Sequence, residues 1–233
     1  MTTVAAAPRE WTPSELAARI QHTLIRIDAT DADVVRHCGE CLEYGFDAAM
    51  VAGNWLSVAR PIIAGSRVKL ASAVDFPSGE MTTAGKVAEA RELVALGAVE
   101  LDVLVNVGWL RSGLEREFRD DIAAVVAAAR PAAVKVMLEL PLLTPAQRDR
   151  AVDLAVDAGV AFVKNASSSA VEVANPTSIA YLRERAPASV GVKASGGIKS
   201  FAQAIGLLEA GADLLGSSAG VAIVMRSSNA ESY

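Results

Sequence analysis

A chain of 233 residues with 52% hydrophobic and 21% charged residues can bury a sizeable core and carries too little charge for a disordered chain. Its net charge of −5 excludes a global basic field for nucleic acid, while leaving room for a small local anion site. No apolar run approaches the roughly 18 residues of a membrane span, and MTTVAAAPREWTPSELA lacks the basic-then-apolar pattern of a secretory leader, so a cytoplasmic protein without nucleic-acid or membrane partners is expected.

SELAARI (14–20) reads as a short added helix, and HTLIRI (22–27) as the first strand. ATDADVVRHCGECLEYGF follows as a helix, with a cap at Thr30 or Asp31 and a stop near Gly45. It sets Cys38 and Cys41 one turn apart. Zinc would need a second cysteine pair or the two histidines, His22 and His37, so two reduced thiols and no metal are expected. DAAMVAG (47–53) and VKLASAVDF (68–76) are the next strands, and TTAGKVAEARELVALGA is a helix ending at Gly97. ELDVLVNV (100–107) is a strand, REFRDDIAAVVAAARP a helix stopped by Pro131, and AVKVMLEL (133–140) a strand. TPAQRDRAVDLAVDAGV has Thr144 as cap, Pro145 at the first helical position and Gly159 at the stop. AFVKNA (161–166), GVKAS (191–195, with Val190 ahead) and LLGSSA (214–219) complete eight strands, with the helix SFAQAIGLLEAGA between the last two. Helix ends reading ALGAVE, DAGVAF and EAGADL mark turns in which glycine takes a left-handed cap.

Most of the strands are near-continuous apolar runs, the pattern of parallel strands covered on both faces. Eight β/α units in this length predict an α/β fold, a single (β/α)8 TIM barrel with a short N-terminal extra helix across its bottom. No linker divides the chain, so residues 1–225 form one domain and 226–233 a loose polar tail. Trp55 and Trp109 are surface anchors or barrel packing, and a homodimer is the base-rate assembly.

In such a barrel the chemistry sits at the C-terminal strand ends. Those ends offer Asp102 and Asn106, Lys135 and Glu139, Lys164, and Lys193. The turns SGGIKS (195–200) and GSSAG (216–220) follow strands seven and eight, where this architecture binds phosphate. A lysine nucleophile must be neutral, and burial beside a second cation depresses its pKa. Lys164 and Lys193 on adjacent strands can supply that cation to each other, and Asp102 can accept protons. The chemistry suggested is a Schiff base with an aldehyde or ketone. Equally open is a set of ion pairs in which one lysine binds phosphate. Lys135 is the most structural of the three, paired with Glu139 or Asp102, and is also kept among the substrate-binding candidates.

ELDVLVNVGWLRSG, AVKVMLELPLLT, AFVKNAS, VGVKASGGIKS and GSSAGVAIV, in this order, resemble the deoxyribose-phosphate aldolases, class I metal-independent aldolases on a TIM barrel. The likeness covers roughly residues 16–225, with YGF and the FPSG–TT stretch (76–83) in agreement. It implies that Lys164 forms the Schiff base, Lys193 lowers its pKa, Asp102 works as acid and base through water, and Gly196, Gly197 and Ser218 contact phosphate. Thr23, Ser167, Ser168 and Ser217 join the substrate set, and the terminal Tyr233 matches a tyrosine that helps protonate the enamine. The implied reaction cleaves 2-deoxyribose 5-phosphate to glyceraldehyde 3-phosphate and acetaldehyde, within deoxyribonucleotide catabolism and without a cofactor.

Three departures stand out. The family's I-D-H-T-L is here Ile20-Gln21-His22-Thr23-Leu24, its K-T-S-T-G is Lys164-Asn165-Ala166-Ser167-Ser168, and strand two reads Met50-Val51-Ala52-Gly53-Asn54. They place the changes around the substrate. Two alternatives therefore stay open: an aldolase-like paralogue using another aldehyde pair, and a barrel that binds a sugar phosphate without turning it over.

Overall fold

The computed structural model describes residues 10–227, so Tyr233 lies outside the described residues. Eight parallel strands close into a barrel in sequence order: β1 (Ile20–Leu24), β2 (Ala48–Val51), β3 (Lys69–Val74), β4 (Glu100–Leu104), β5 (Ala133–Met137), β6 (Phe162–Lys164), β7 (Gly191–Ser195) and β8 (Leu214–Ser217). Among the described residues ten α-helices accompany them: α1 (Pro13–Ala17), α2 (Asp31–Tyr44), α3 (Leu56–Ile63), α4 (Thr83–Ala95), α5 (Val107–Arg111), α6 (Glu115–Ala129), α7 (Pro145–Asp157), α8 (Pro176–Arg185), α9 (Phe201–Glu209) and α10 (Gly220–Val224). Helix α1 precedes β1 at the N-terminal end of the barrel and packs against α10.

Alternation along each strand divides two environments. Outward residues such as Val103, Val136, Val163 and Val192 are buried beneath the helices in one continuous apolar layer. Inward residues at the same level are polar: Gln21, Asp102, Lys135, Lys164 and Lys193 are all buried. Phe162 fills the interior below them, against Gly191, where a Cβ would lie 2.2 Å from the ring. Trp55 and Trp109 are partly buried against the apolar layer, so both are barrel packing.

Sequence signals for the helix starts are realised as hydrogen bonds. The Thr30, Thr144 and Ser200 side chains each accept the backbone N–H three residues on, and Asp33, Gln147 and Gln203 return the bond to the cap. Gly45 caps α2 at φ 69°, and Gly97, Gly159 and Gly211 also take positive φ.

The apolar runs overstate several strands. HTLIRI leaves the sheet after Leu24, and Ile27 is fully exposed. ELDVLVNV ends at Leu104, because the Asn106 side chain accepts Trp109 N–H and caps α5. Helices α3, α5, α8 and α10 are additional to the sequence reading. Helix α3 contains Pro61, which masks it. Helix α8 carries an Asn175 cap and Pro176 at its first position, a signal present in the sequence.

Cys38 and Cys41 are buried free thiols. Burial pushes the Cys38 thiol up to about 11 and raises Cys41 as well, so neither is a ready thiolate.

Candidate active site

The C-terminal strand ends enclose a cavity of about 310 Å³. Lys164 and Lys193 stand in register on β6 and β7 and both open on it. Their Nζ atoms reach one carboxylate oxygen, Asp102 Oδ2 on β4, at 2.9 Å and 2.7 Å. Lys135 on β5 lies beside Asp102 in register, with its Nζ 3.4 Å from Oδ1 and 2.5 Å from Glu100 Oε2.

The charges continue down the barrel. Lys69 Nζ bridges Asp47 and Glu100 at 2.9 Å each. Gln21 Nε2 donates to Asp47 at 2.8 Å and Glu100 at 2.6 Å, and Gln21 Oε1 accepts from Lys193 Nζ at 2.6 Å. Burial raises the Asp102 carboxyl, but Lys164, Lys193 and Lys135 outweigh it and hold it well below the usual carboxylate range. Burial pushes Lys193 down to about 7 against the pull of Asp102, with Lys164 and Lys135 adding to the drop. A Lys193 that gives up its proton near neutrality leaves a neutral amine beside Lys164. Lys164 is the more accessible of the two.

The cavity has two chemically different sides. β7, β8 and β1 are contiguous and contribute Gly196, Gly197, Lys199, Ser217, Ser218, Thr23 and Arg26. Gly196 at φ 113° and Gly197 at φ 62° line the cavity in the β7–α9 turn. Ser217 Oγ donates to Ile198 O and accepts Ala219 N–H, fastening the two turns together. The opposite side is apolar: Met50, Ala73, Phe76 and Met137. Ser167 and Ser168 close the space after β6, and Ser168 does not take a positive φ.

Several expectations need correction. Lys135 is wholly buried beside Asp102 and is not among the residues that line the cavity, unlike the other substrate candidates. Its partners are Glu100 and Asp102 rather than Glu139. Glu139 takes φ 53°, and its Oε1 accepts Ser167 N–H at 2.6 Å, bracing the loop after Lys164. Burial raises its carboxyl. Asn165 does not face substrate. Strand alternation turns it outward, where it donates to Glu172 and Ser195 O and accepts Ser195 N–H. Ala166 is buried beside it and accepts Ser195 Oγ through its carbonyl. Arg26 and Lys199 line the cavity and were not singled out from sequence; each follows a strand end in a quoted run, the only signal available.

His22, His37 and Glu40 are the one group among the described residues whose metal-type donor atoms come within 4.8 Å of one another. They lie between β1 and α2, behind the barrel wall. The imidazoles stack at 4.4 Å and 21°, so their in-plane lone pairs run side by side instead of converging. His22 already uses Nε2 on Glu40 at 2.9 Å and Nδ1 on Ser217 O at 3.4 Å.

The profile of the DeoC/LacD family aldolases matches residues 22–226. A deoxyribose-phosphate aldolase of Methanocella arvoryzae is 40% identical over 221 residues, spanning 94% of this chain and 98% of its own. One of Alkaliphilus oremlandii is 40% identical over 210 residues, spanning 90% and 95%. Among solved structures, a deoxyribose phosphate aldolase of Aeropyrum pernix, described as tetrameric, superposes with a TM-score of 0.85 at 32% identity, covering 92% of this chain and 91% of that one.

Proposed function

The chain belongs to the DeoC/LacD family of aldolases, and from that premise we propose that it cleaves 2-deoxyribose 5-phosphate reversibly to glyceraldehyde 3-phosphate and acetaldehyde through a Schiff base on Lys164. The observation that carries the reading is the sharing of Asp102 Oδ2 by Lys164 and Lys193 at the floor of a cavity with one polar and one apolar side.

Lys164 as the free amine adds to C1 of the open aldehyde, and loss of water gives the iminium. Removal of the C3 hydroxyl proton forms the C3 carbonyl and breaks the C2–C3 bond. Those electrons form the enamine C1–C2 double bond and neutralise the iminium nitrogen, and glyceraldehyde 3-phosphate leaves. Protonation at C2 followed by hydrolysis releases acetaldehyde and restores Lys164. The iminium is itself the electron sink, so the scheme needs neither metal nor organic cofactor.

Proton handling divides between two groups. An aspartate held well below its ordinary range is a weak base, so Asp102 chiefly orients the amines and a water between them and substrate. Lys193, pushed down to about 7, is the group that changes protonation near neutrality. The phosphate is assigned to the β7–β8–β1 side, where Gly196, Gly197, Ser218, Lys199 and Arg26 line the cavity, Arg26 also bridging Asp28 and Asp33. The two-carbon end faces Met50, Ala73, Phe76 and Met137. Tyr233 is retained as a proposed proton donor to the enamine. No helix among the described residues is long and apolar enough to cross a membrane, in keeping with a proposed cytoplasmic enzyme.

Borohydride reduction in the presence of 2-deoxyribose 5-phosphate, read by peptide mass spectrometry, tests the proposal. An adduct on Lys164 with release of acetaldehyde is expected. An adduct with acetaldehyde alone would move the substrate to a different acceptor aldehyde. Absence of any adduct would overturn the Schiff base.

A further inference from the structure

Gln21 is fully buried, and its amide makes three hydrogen bonds inside the barrel. The partners fix its orientation. Two carboxylates require the NH2 end, and an ammonium requires the oxygen; the flipped amide would set like against like on both sides. The side chain therefore stands between Lys193 on one side and the carboxylates of Asp47 and Glu100 on the other.

A count of the interior charges shows the consequence. Lys69, Lys135, Lys164 and Lys193 face three carboxylates, Asp47, Glu100 and Asp102. With every amine protonated the cluster carries one positive charge in excess, around a centre in which Gln21, Asp102 and Lys135 are fully buried. Losing one proton from the cavity-facing pair relieves it. Lys69 and Asp47 are half-exposed and partly exposed at the floor, so the excess is felt most by the lysines above them.

We propose that Gln21 is a positioning residue that keeps the lysine pair one carboxylate short: its oxygen holds Lys193 toward Asp102 while its nitrogen occupies Asp47 and Glu100. This deepens the aldolase reading and rests on it for its kinetic consequence. The groups facing Lys193 are Asp102 from β4, Lys135 from β5, Lys164 from β6 and neutral Gln21 from β1. Gly216 of β8 brings no charge against it. Glu100, Asp47 and Lys69 lie behind Gln21 and Lys135, Glu139 lies beyond Lys164, and Arg26 and Lys199 stand at the cavity rim. A carboxylate at position 21 would close the count and weaken the drive to release the proton, leaving burial as its main source.

Two variants of opposite expected sign test this. Gln21→Asp supplies the missing charge and, one methylene shorter, backs away from the floor carboxylates. Gln21→Met keeps the length and withdraws an acceptor from Lys193. The Lys193 side-chain titration is followed by NMR in specifically labelled protein, alongside kcat/KM against pH for 2-deoxyribose 5-phosphate. In Gln21→Asp the Lys193 midpoint and the acid limb rise by about one pH unit or more, so kcat/KM at pH 6.5 falls about tenfold and recovers at pH 9. In Gln21→Met the midpoint falls. A folded Gln21→Asp with an unmoved midpoint overturns the proposal. Should that variant not fold, Gln21→Met decides alone: a midpoint equal to or above that of the unsubstituted protein overturns it. A protein that shows no turnover while its Lys193 midpoint moves as stated would retain this inference and sink the aldolase reading.

Discussion

Lys164 and Lys193 stand in register on adjacent parallel strands, and both donate to the same oxygen of Asp102. One acceptor serving two amines makes their protonation states interdependent. Four consequences, two for the lysines, one for the floor and one for the turn above them, can be measured.

Lys164→Ala removes the nucleophile and should abolish the borohydride adduct, with turnover falling by at least about a thousandfold. The fold should survive, because Asp102 keeps Lys193 and Lys135 as counter-ions. Intact-mass trapping and far-UV circular dichroism on one sample check both parts. Unchanged turnover in a folded variant would exclude Lys164 as the Schiff-base lysine.

Lys193→Leu removes the second amine. Asp102 then acts on Lys164 with one fewer competing cation, which favours the protonated nucleophile. The acid limb of the kcat/KM profile should move up by about one pH unit, with activity at pH 7 falling at least tenfold. An acid limb that stays in place would show that Lys193 does not govern the charge of its neighbour.

The barrel and its lysine pair were legible because parallel strands write themselves as near-continuous apolar runs, against which Lys164 and Lys193 are conspicuous interruptions. Partnership across strands was not. Lys135 pairs with Glu100 because the register of β4 and β5 brings them together, and register is absent from local sequence. Asn165 reads as a substrate-facing change by its position next to Lys164, yet a strand sends consecutive side chains to opposite faces, so the more distant Ser167 and Ser168 reach the cavity. Glu139 was placed on the strand, but its positive φ turns the chain and delivers the carboxylate to Ser167 N–H. Arg26 and Lys199 carry no distinguishing sequence signal, because a basic residue just past a strand end is ordinary at a surface.

Glu100 sets a pH dependence of stability. Burial alone would raise its carboxyl, but Lys135, Lys69 and Gln21 bring it down to about 2 from 4.5. A depressed carboxylate contributes stability above its unfolded value, and loses it as pH falls through the folded one. The contribution should be complete above about pH 5 and vanish between about 4.5 and 2, with an upper size of about 3 kcal/mol. Gln at position 100 leaves Lys135 with only Asp102 as counter-ion. Denaturant unfolding of Glu100→Gln should therefore show lower stability at pH 7 and a shallower loss between pH 5 and 2. Parallel pH curves for the two proteins would refute this assignment.

Gly196 joins backbone geometry to substrate selectivity. At φ 113° it holds a conformation that an L side chain rarely adopts, and a Cβ there would lie 2.1 Å from the carbonyl oxygen of Glu172. That carbonyl cannot withdraw cheaply. The Glu172 side chain accepts from Asn165, Asn175 and Ser178, and Gly196 O itself accepts Ala174 N–H at 2.8 Å. Gly196→Ala must then displace the β7–α9 turn, whose backbone lines the proposed phosphate side, while Lys164, Lys193 and Asp102 lie on strands below it. Strain of this kind costs about 1–3 kcal/mol. The measurable signature is selective: KM for 2-deoxyribose 5-phosphate should rise at least tenfold while kcat changes much less. The preference over unphosphorylated deoxyribose should shrink in proportion, because a displaced turn costs only the substrate that uses it. An equal loss on both sugars would mean that the turn serves the catalytic lysines instead of the phosphate.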